Sequence, residues 1–227
     1  MNKPIKIKAI FSWSGGKDSA LALYKILKED KYEIVSLITT ITEGYNRISM
    51  HGISLDLLEE QVKSIGIPLH KIEIPQNCSN EEYEMIMVKT LNHFQKQGIL
   101  SVIFGDIYLE DVKNYRISQL SGVGMKAIFP LWGISTNEIS NEFINKGFQT
   151  IISCVDIRSL DRTFSGRIYD QNCLNDLPST CDPCGENGEF HSFVFDGPIF
   201  SRKLEIKTGA KLLRDDYFFF TEILQKR

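Results

Sequence analysis

Residues 9–27, AIFSWSGGKDSALALYKIL, run from an apolar stretch through two adjacent glycines into apolar positions at helical spacing. A strand feeding a glycine turn that opens a helix brings free backbone N–H groups and the positive end of the helix dipole to one point, an anion site made from backbone alone. Gly15 and Gly16 permit close approach and positive φ, Lys17 adds a charge, and Ser14 and Ser19 add hydroxyls. Phosphate is the natural guest. The spacing differs from the Walker loop, whose first glycine lies well upstream of its Gly-Lys pair, and from the dinucleotide fingerprint, whose glycines are spread. The bland alternative is a tight turn with Asp18 or Ser19 as N-cap. Two hydroxyls, a lysine and an aspartate beside the glycines favour the phosphate reading.

Around this junction strands and helices alternate. Apolar and β-branched runs predict strands over residues 6–13, 33–41, 69–74, 100–104 and 126–129, the last stopped by Pro130. Helical spacing falls at 18–27, after Ser54, at 80–97 and at 110–120. The helix after Ser54 has only half a capping box, because Leu57 stands where Glu would close it. This order predicts an α/β fold, a doubly wound parallel five-stranded sheet. Past Trp132-Gly133 the pattern changes: a helix at 136–146, a strand at 148–154, a stretch dense in turn residues at 172–188, then strands at 191–195, 203–207 and 217–223. These last strands lie too close together for helical crossovers. The chain therefore divides into a main unit, 1–132, and a smaller C-terminal α+β unit, 133–227, with the aromatic run Tyr217 to Phe220 as a buried strand.

Composition narrows the partners. The net charge of -3 and pI near 5.9 argue against a global basic field for nucleic acid. No apolar run approaches the roughly 20 residues of a membrane span, and MNKPIKIKAIF lacks a signal peptide's apolar region, so the cytoplasm is the expected location. Five cysteines, an odd number, suit free thiols in a reducing compartment. Cys181 and Cys184 form a lone CxxC with Cys173 upstream, weak as a zinc or redox signal and read as structural.

SGGKDS at the end of the first strand resembles the PP-loop of the ATP pyrophosphatase superfamily, whose members cleave ATP to AMP and pyrophosphate. Met50-His51, FGDIYLEDVKNYR (104–116), FPLWG (129–133) and DPCGENGEFHSFVFDGP (182–198) together resemble the diphthine-ammonia ligase family and its bacterial relatives, along nearly the whole chain. One departure is Gln119, where that family pattern leads one to expect glutamate.

The resemblance implies an adenine nucleotide alpha hydrolase-like sheet, with ATP and Mg²⁺ as cofactors. Ser12, Ser14, Gly15, Gly16, Lys17, Asp18 and Ser19 would hold ATP with Gly105, and Thr39 or Thr40 would lie near the adenosine. These positions also follow from the fold, since ligands of open α/β sheets bind at the carboxyl ends of strands. Lys17, Asp18 and Asp106 would carry catalysis, Asp18 and Asp106 as Mg²⁺ ligands or Asp106 as proton acceptor. Without the resemblance, Asp106 reads equally well as a solvated or helix-capping aspartate. The acceptor would meet His51, Arg116, Trp132, Glu186, Gly188, Glu189 and His191, the carboxylates binding a cationic acceptor or ammonium.

The activity so implied is an ATP-dependent ligase that adenylates a carboxylate, releases pyrophosphate and transfers ammonia. No stretch long enough for a glutaminase remains, which implies free ammonia or a separate donor. The acceptor is a modified elongation factor or a small carboxylate metabolite, and a homodimer is left open. Two rivals stand beside this reading: a PP-loop sulfurtransferase acting on tRNA, which needs persulfide cysteines and a basic surface, and a regulatory module that binds ATP without turnover.

Overall fold

The computed structural model describes residues 5–44 and 52–226. Met50-His51, a segment of the family resemblance whose His51 is assigned to the acceptor, lies outside the described residues. In the first unit β1 (Ile7–Ser12), α1 (Lys17–Glu29), β2 (Tyr32–Thr42), α2 (Leu55–Ile65), β3 (Leu69–Ile74), α3 (Asn80–Gln95), β4 (Ser101–Ile103), α4 (Glu110–Ser121) and β5 (Lys126–Ile128) alternate. All five strands pair in parallel in the order β3-β2-β1-β4-β5. The order reverses between β1 and β4, so a crevice opens beyond their carboxyl ends, where the glycine turn and Gly105-Asp106 sit.

Successive residues of one strand serve opposite layers. Ala9, Phe11, Leu37 and Ile103 join one core, while Ile10, Ile38 and Val102 join the other. Burial on both faces is why these strands read as continuous apolar runs rather than as alternations. Leu91 and Phe94 of α3 and Leu120 of α4 cover the second layer. Leu57, Leu58 and Val62 of α2 cover the first, together with residues of a second sheet.

That second sheet follows α5 (Thr136–Asn145) and comprises β6 (Gln149–Asp156), β7 (Phe190–Asp196), β8 (Ile206–Arg214) and β9 (Phe218–Gln225). The order is β7-β6-β9-β8 and every pairing is antiparallel. A short α6 (Gln171–Asp176) precedes β7. Phe190, Phe193 and Val194 of β7 and Ile151 and Ile152 of β6 belong to the same core as Ala9 and Phe11, so the two sheets share one interior.

Helix starts follow the sequence closely. Ser54 Oγ accepts from Leu57 N–H at 3.3 Å without a closing carboxylate. Ser79 with Glu82 and Ser135 with Glu138 form complete capping boxes at α3 and α5. Three local expectations give way. The strand placed at 203–207 instead begins at Ile206 and runs to Arg214, because Leu204 N–H binds Phe195 O and Ser201 and Arg202 are tied to Ser64 at the end of α2. Its hairpin turns on Asp215 and Asp216, both at positive φ, a pair less conspicuous than Asn-Gly. The Tyr217–Phe220 run is half-buried rather than buried, since it pairs with β8, whose side chains after Ile206 are exposed. Finally, α6 lies inside the turn-rich stretch, started by the Asp170 carboxylate accepting from Cys173 N–H at 2.8 Å, and is too short to show periodicity.

A shared core predicts shared unfolding. Phe143 of α5 is buried and stacks on Phe148 with ring centroids 4.7 Å apart. Phe143→Ala is expected to cost about 3–5 kcal/mol, and urea denaturation followed by both fluorescence and far-UV circular dichroism should still show one coincident transition for both units.

Candidate active site

After β1 the chain turns through Ser14 and Gly15, whose φ of 79° requires glycine, and α1 starts behind Gly16. No side chain caps α1. Ser19 Oγ donates to Gly16 O at 2.9 Å and stands 3.0 Å from Ser14 Oγ, and Asp18 faces Lys17, so the plain capped-turn reading fails. The Gly16 N–H reaches Ser14 Oγ at 3.2 Å and the Lys17 N–H reaches Ser192 Oγ at 3.3 Å. Both bonds are long, leaving these first-turn amides to a stronger acceptor such as a phosphate oxygen.

Gly105 explains how β4 reaches the same point. A Cβ there would stand 2.9 Å from the Ser19 amide nitrogen and 3.1 Å from the Asp18 carbonyl carbon. Only glycine lets the carboxyl end of β4 pass so close to α1, which brings Asp106 beside the loop.

Lys17 is buried, its Nζ 2.7 and 2.9 Å from the Asp18 carboxylate oxygens and also donating to the Cys184 carbonyl. Burial opposes its charge, but Asp18 foremost among its neighbours outweighs that and raises the ammonium above its ordinary range. Glu186 is pushed up to about 7, first by burial, then by the charge of Asp18, with Asp182 and Asp106 adding to it. His191 is lowered to about 4 by burial and by Lys17, so its imidazole is neutral at pH 7.

The GENGEFHS turn is braced from inside. Glu189 is buried, and its carboxylate accepts from the Asp182 N–H at 2.9 Å, the Asn187 N–H at 3.0 Å and the Asn187 amide at 3.0 Å. Asp182 in turn accepts from the N–H groups of Cys184 at 2.8 Å and Glu186 at 3.2 Å. Glu189, assigned to the acceptor, thus shapes the turn, and Glu186 is the carboxylate that turn holds among Lys17, Asp18 and Asp106. Gly188 takes φ 86° in the same turn. Tyr108 OH binds Asn187 Oδ1 at 3.1 Å, joining the loop after β4 to this wall.

On the other side of β1 a cavity of about 220 Å³ is lined by Ser12, Ser14, Thr39 and Thr40, with Tyr83 and Phe104 among its walls. Arg116, assigned to the acceptor, lines this cavity too: it bonds both Asp106 oxygens and lies over the Phe104 ring at 4.4 Å. Gln119, the departure from the family pattern, also lines it. Trp132 is set one layer back from this cavity, under the Lys113 ammonium at 3.8 Å and with its ring 5.9 Å from Phe129, which stacks on Phe104. Magnesium typically takes one or two carboxylates together with substrate phosphate oxygens. Both aspartates are already paired, Asp18 with the Lys17 ammonium and Asp106 with Arg116, so either would have to share its carboxylate with a bound cation; Asp18 is the one on the loop itself.

The sequence passed over Gln61 and Asp182. Gln61 interrupts the buried apolar face formed by Leu57, Leu58 and Val62, a polar residue at a core position of α2, and that periodicity was the available signal. Asp182 carried no signal beyond its turn.

Residues 7–127 match the model of the diphthamide synthase N-terminal domain, and residues 135–224 that of the diphthamide synthase C-terminal domain. The chain is 22% identical to the diphthine--ammonia ligase of Rattus norvegicus, covering 88% of this chain and 83% of that protein. The Homo sapiens protein of the same name is also 22% identical, over 76% of this chain and 66% of its own length. The one from Schizosaccharomyces pombe is 22% identical over 84% of this chain, which spans only 34% of that longer protein. A solved structure described as a predicted subunit of tRNA methyltransferase from Methanocaldococcus jannaschii aligns with 63% of this chain and 77% of its own, at 19% identity and a TM-score of 0.41. With both family models matched in order along the chain, this protein belongs to the diphthamide synthase family.

Proposed function

We propose that this protein is an ATP-dependent ligase that converts a substrate carboxylate to an amide through an acyl-adenylate, with residues 1–132 holding ATP and residues 133–227 the acceptor. The observation that carries this reading is one shared site: the loop of Lys17 and Asp18 at the sheet's switch point faces the turn that holds Glu186. The names of the family and of its relatives favour diphthine as the acceptor.

The carboxylate oxygen attacks the α-phosphorus, the bond to the bridging oxygen breaks, and pyrophosphate leaves with the electron pair. The Gly16 and Lys17 amides and the Lys17 ammonium lie where that negative charge develops. Mg²⁺ held by Asp18 and the phosphates would supply further charge neutralisation. Glu186 holds the ammonium and takes one proton from it; the ammonia so formed attacks the acyl carbon, the acyl–oxygen bond breaks and AMP leaves, and the second proton passes from the nitrogen to solvent as the amide forms. Adenosine fits the cavity beside Thr39 and Thr40, whose apolar walls and strand-end hydroxyls suit a base and ribose. The sulfurtransferase rival needs a reactive thiolate, but burial pushes the Cys181 thiol up to about 12 and Cys184 higher still.

Ammonium-dependent pyrophosphate release, measured with modified elongation factor and a panel of small carboxylates, tests the reading; absence of release with all of them would overturn it. Lys17→Met should lower the rate by roughly a hundredfold or more, with an unchanged circular dichroism spectrum. A regulatory module would bind ATP and release nothing. His191 gives a separate pH signature. Its folded pKa is depressed from 6.5 to about 4, so its stabilising contribution is complete above 6.5 and is lost as pH falls towards 4. Thermal melting of His191→Gln beside the parent chain should show the variant losing less stability over that window.

A further inference from the structure

Gln61 is completely buried, and its side-chain amide meets three backbone or side-chain partners from two other segments. Its Oε1 accepts from Trp13 Nε1 at 2.9 Å, and its Nε2 donates to Gly15 O at 3.0 Å and to Val194 O at 2.6 Å. Gly15 O also accepts from Val194 N–H at 3.0 Å. One amide from α2 therefore ties the phosphate loop, through a single carbonyl, to β7 of the second sheet.

We infer that Gln61 is a positioning residue that locks the Gly15–Gly16 peptide with its carbonyl turned away from the phosphate site. A peptide between two glycines has little steric resistance to rotating about its flanking bonds. Rotated, it would aim its carbonyl oxygen, rather than the Gly16 N–H, at a phosphate, replacing attraction by repulsion. Two donors on one carbonyl, Gln61 Nε2 and Val194 N–H, oppose that rotation. A Cβ on residue 15 would stand 3.0 Å from Gln61 Oε1, so the loop has been brought as close to the amide as glycine allows. Trp13 fixes which end of the amide faces the carbonyl, since an indole only donates and so requires Oε1 on its own side.

This inference rests on the ATP reading, and three ligands separate the two. ATP, inorganic pyrophosphate and adenosine are titrated by calorimetry into the parent chain, Gln61→Met and Gln61→Glu. Methionine removes both donors without adding charge, whereas the glutamate keeps the shape and the acceptor for Trp13 but turns a carboxylate oxygen on two carbonyls, the harsher challenge to the lock; melting curves check that each variant folds. The expected result is an affinity loss of roughly tenfold for ATP and pyrophosphate in each folded variant, with adenosine within about twofold of the parent. Unchanged ATP and pyrophosphate binding, or a parallel loss for all three ligands, would overturn the locking role. A parent chain that binds neither ATP nor pyrophosphate would instead remove the nucleotide reading itself.

Discussion

The bond from the Val194 N–H of β7 to the Gly15 carbonyl is where the two halves of the molecule are registered. A parallel sheet presents a crevice at its switch point whatever its loops contain, but a crevice alone has one wall. By accepting from an antiparallel strand, the glycine loop acquires an opposite wall at fixed height: His191, Ser192 and Val194 follow along β7, and the 182–189 turn precedes it. The shared core of Phe11, Phe193 and their neighbours makes this arrangement a packed interior and not a hinge.

The electrostatics depend on the same contact. Lys17 is enclosed by its own neighbour Asp18 and by the Cys184 carbonyl supplied from the opposite wall. Burying an ammonium is costly unless it is both paired and hydrogen-bonded. Here one partner comes from each unit, so the lysine's environment is complete only when the units are together. Glu186 and His191 respond in opposite senses to that enclosure: burial favours the neutral form of each, which raises the acid and lowers the base.

Much of this was legible in the chain. Continuous apolar runs alternating with helical spacing are local signals, and the parallel five-stranded sheet followed from them; the half-box at Ser54 and the glycine turn between β1 and α1 were equally local. What local signals could not carry was partnership across the chain. Glu186 and Glu189 look equivalent in GENGEFHS, yet Glu189 turns inward to accept three N–H groups while Glu186 stands among the charges of the loop. Arg116 and Trp132 were grouped by the family pattern, but one lines the cavity beside Thr39 and the other packs under Lys113. β8 was misplaced because its neighbours, Ser201 and Arg202, are held by Ser64, a contact 137 residues distant for Ser201. Separation of that size leaves no trace in a window of sequence.

β8 closes the antiparallel sheet on its outer side, exposed from Lys207 to Arg214. An open strand edge invites further strands, and chains guard such edges with charge and irregularity. This one carries Lys207, Lys211 and Arg214, and its pairing with β9 slips between Thr208 and Lys211, around Gly209. A neighbouring strand laid along it would meet repelling side chains and a broken row of donors and acceptors. Charge and a slipped register thus flank the exposed Leu212 and Leu213, the part of this edge that would otherwise be the readiest template for another strand.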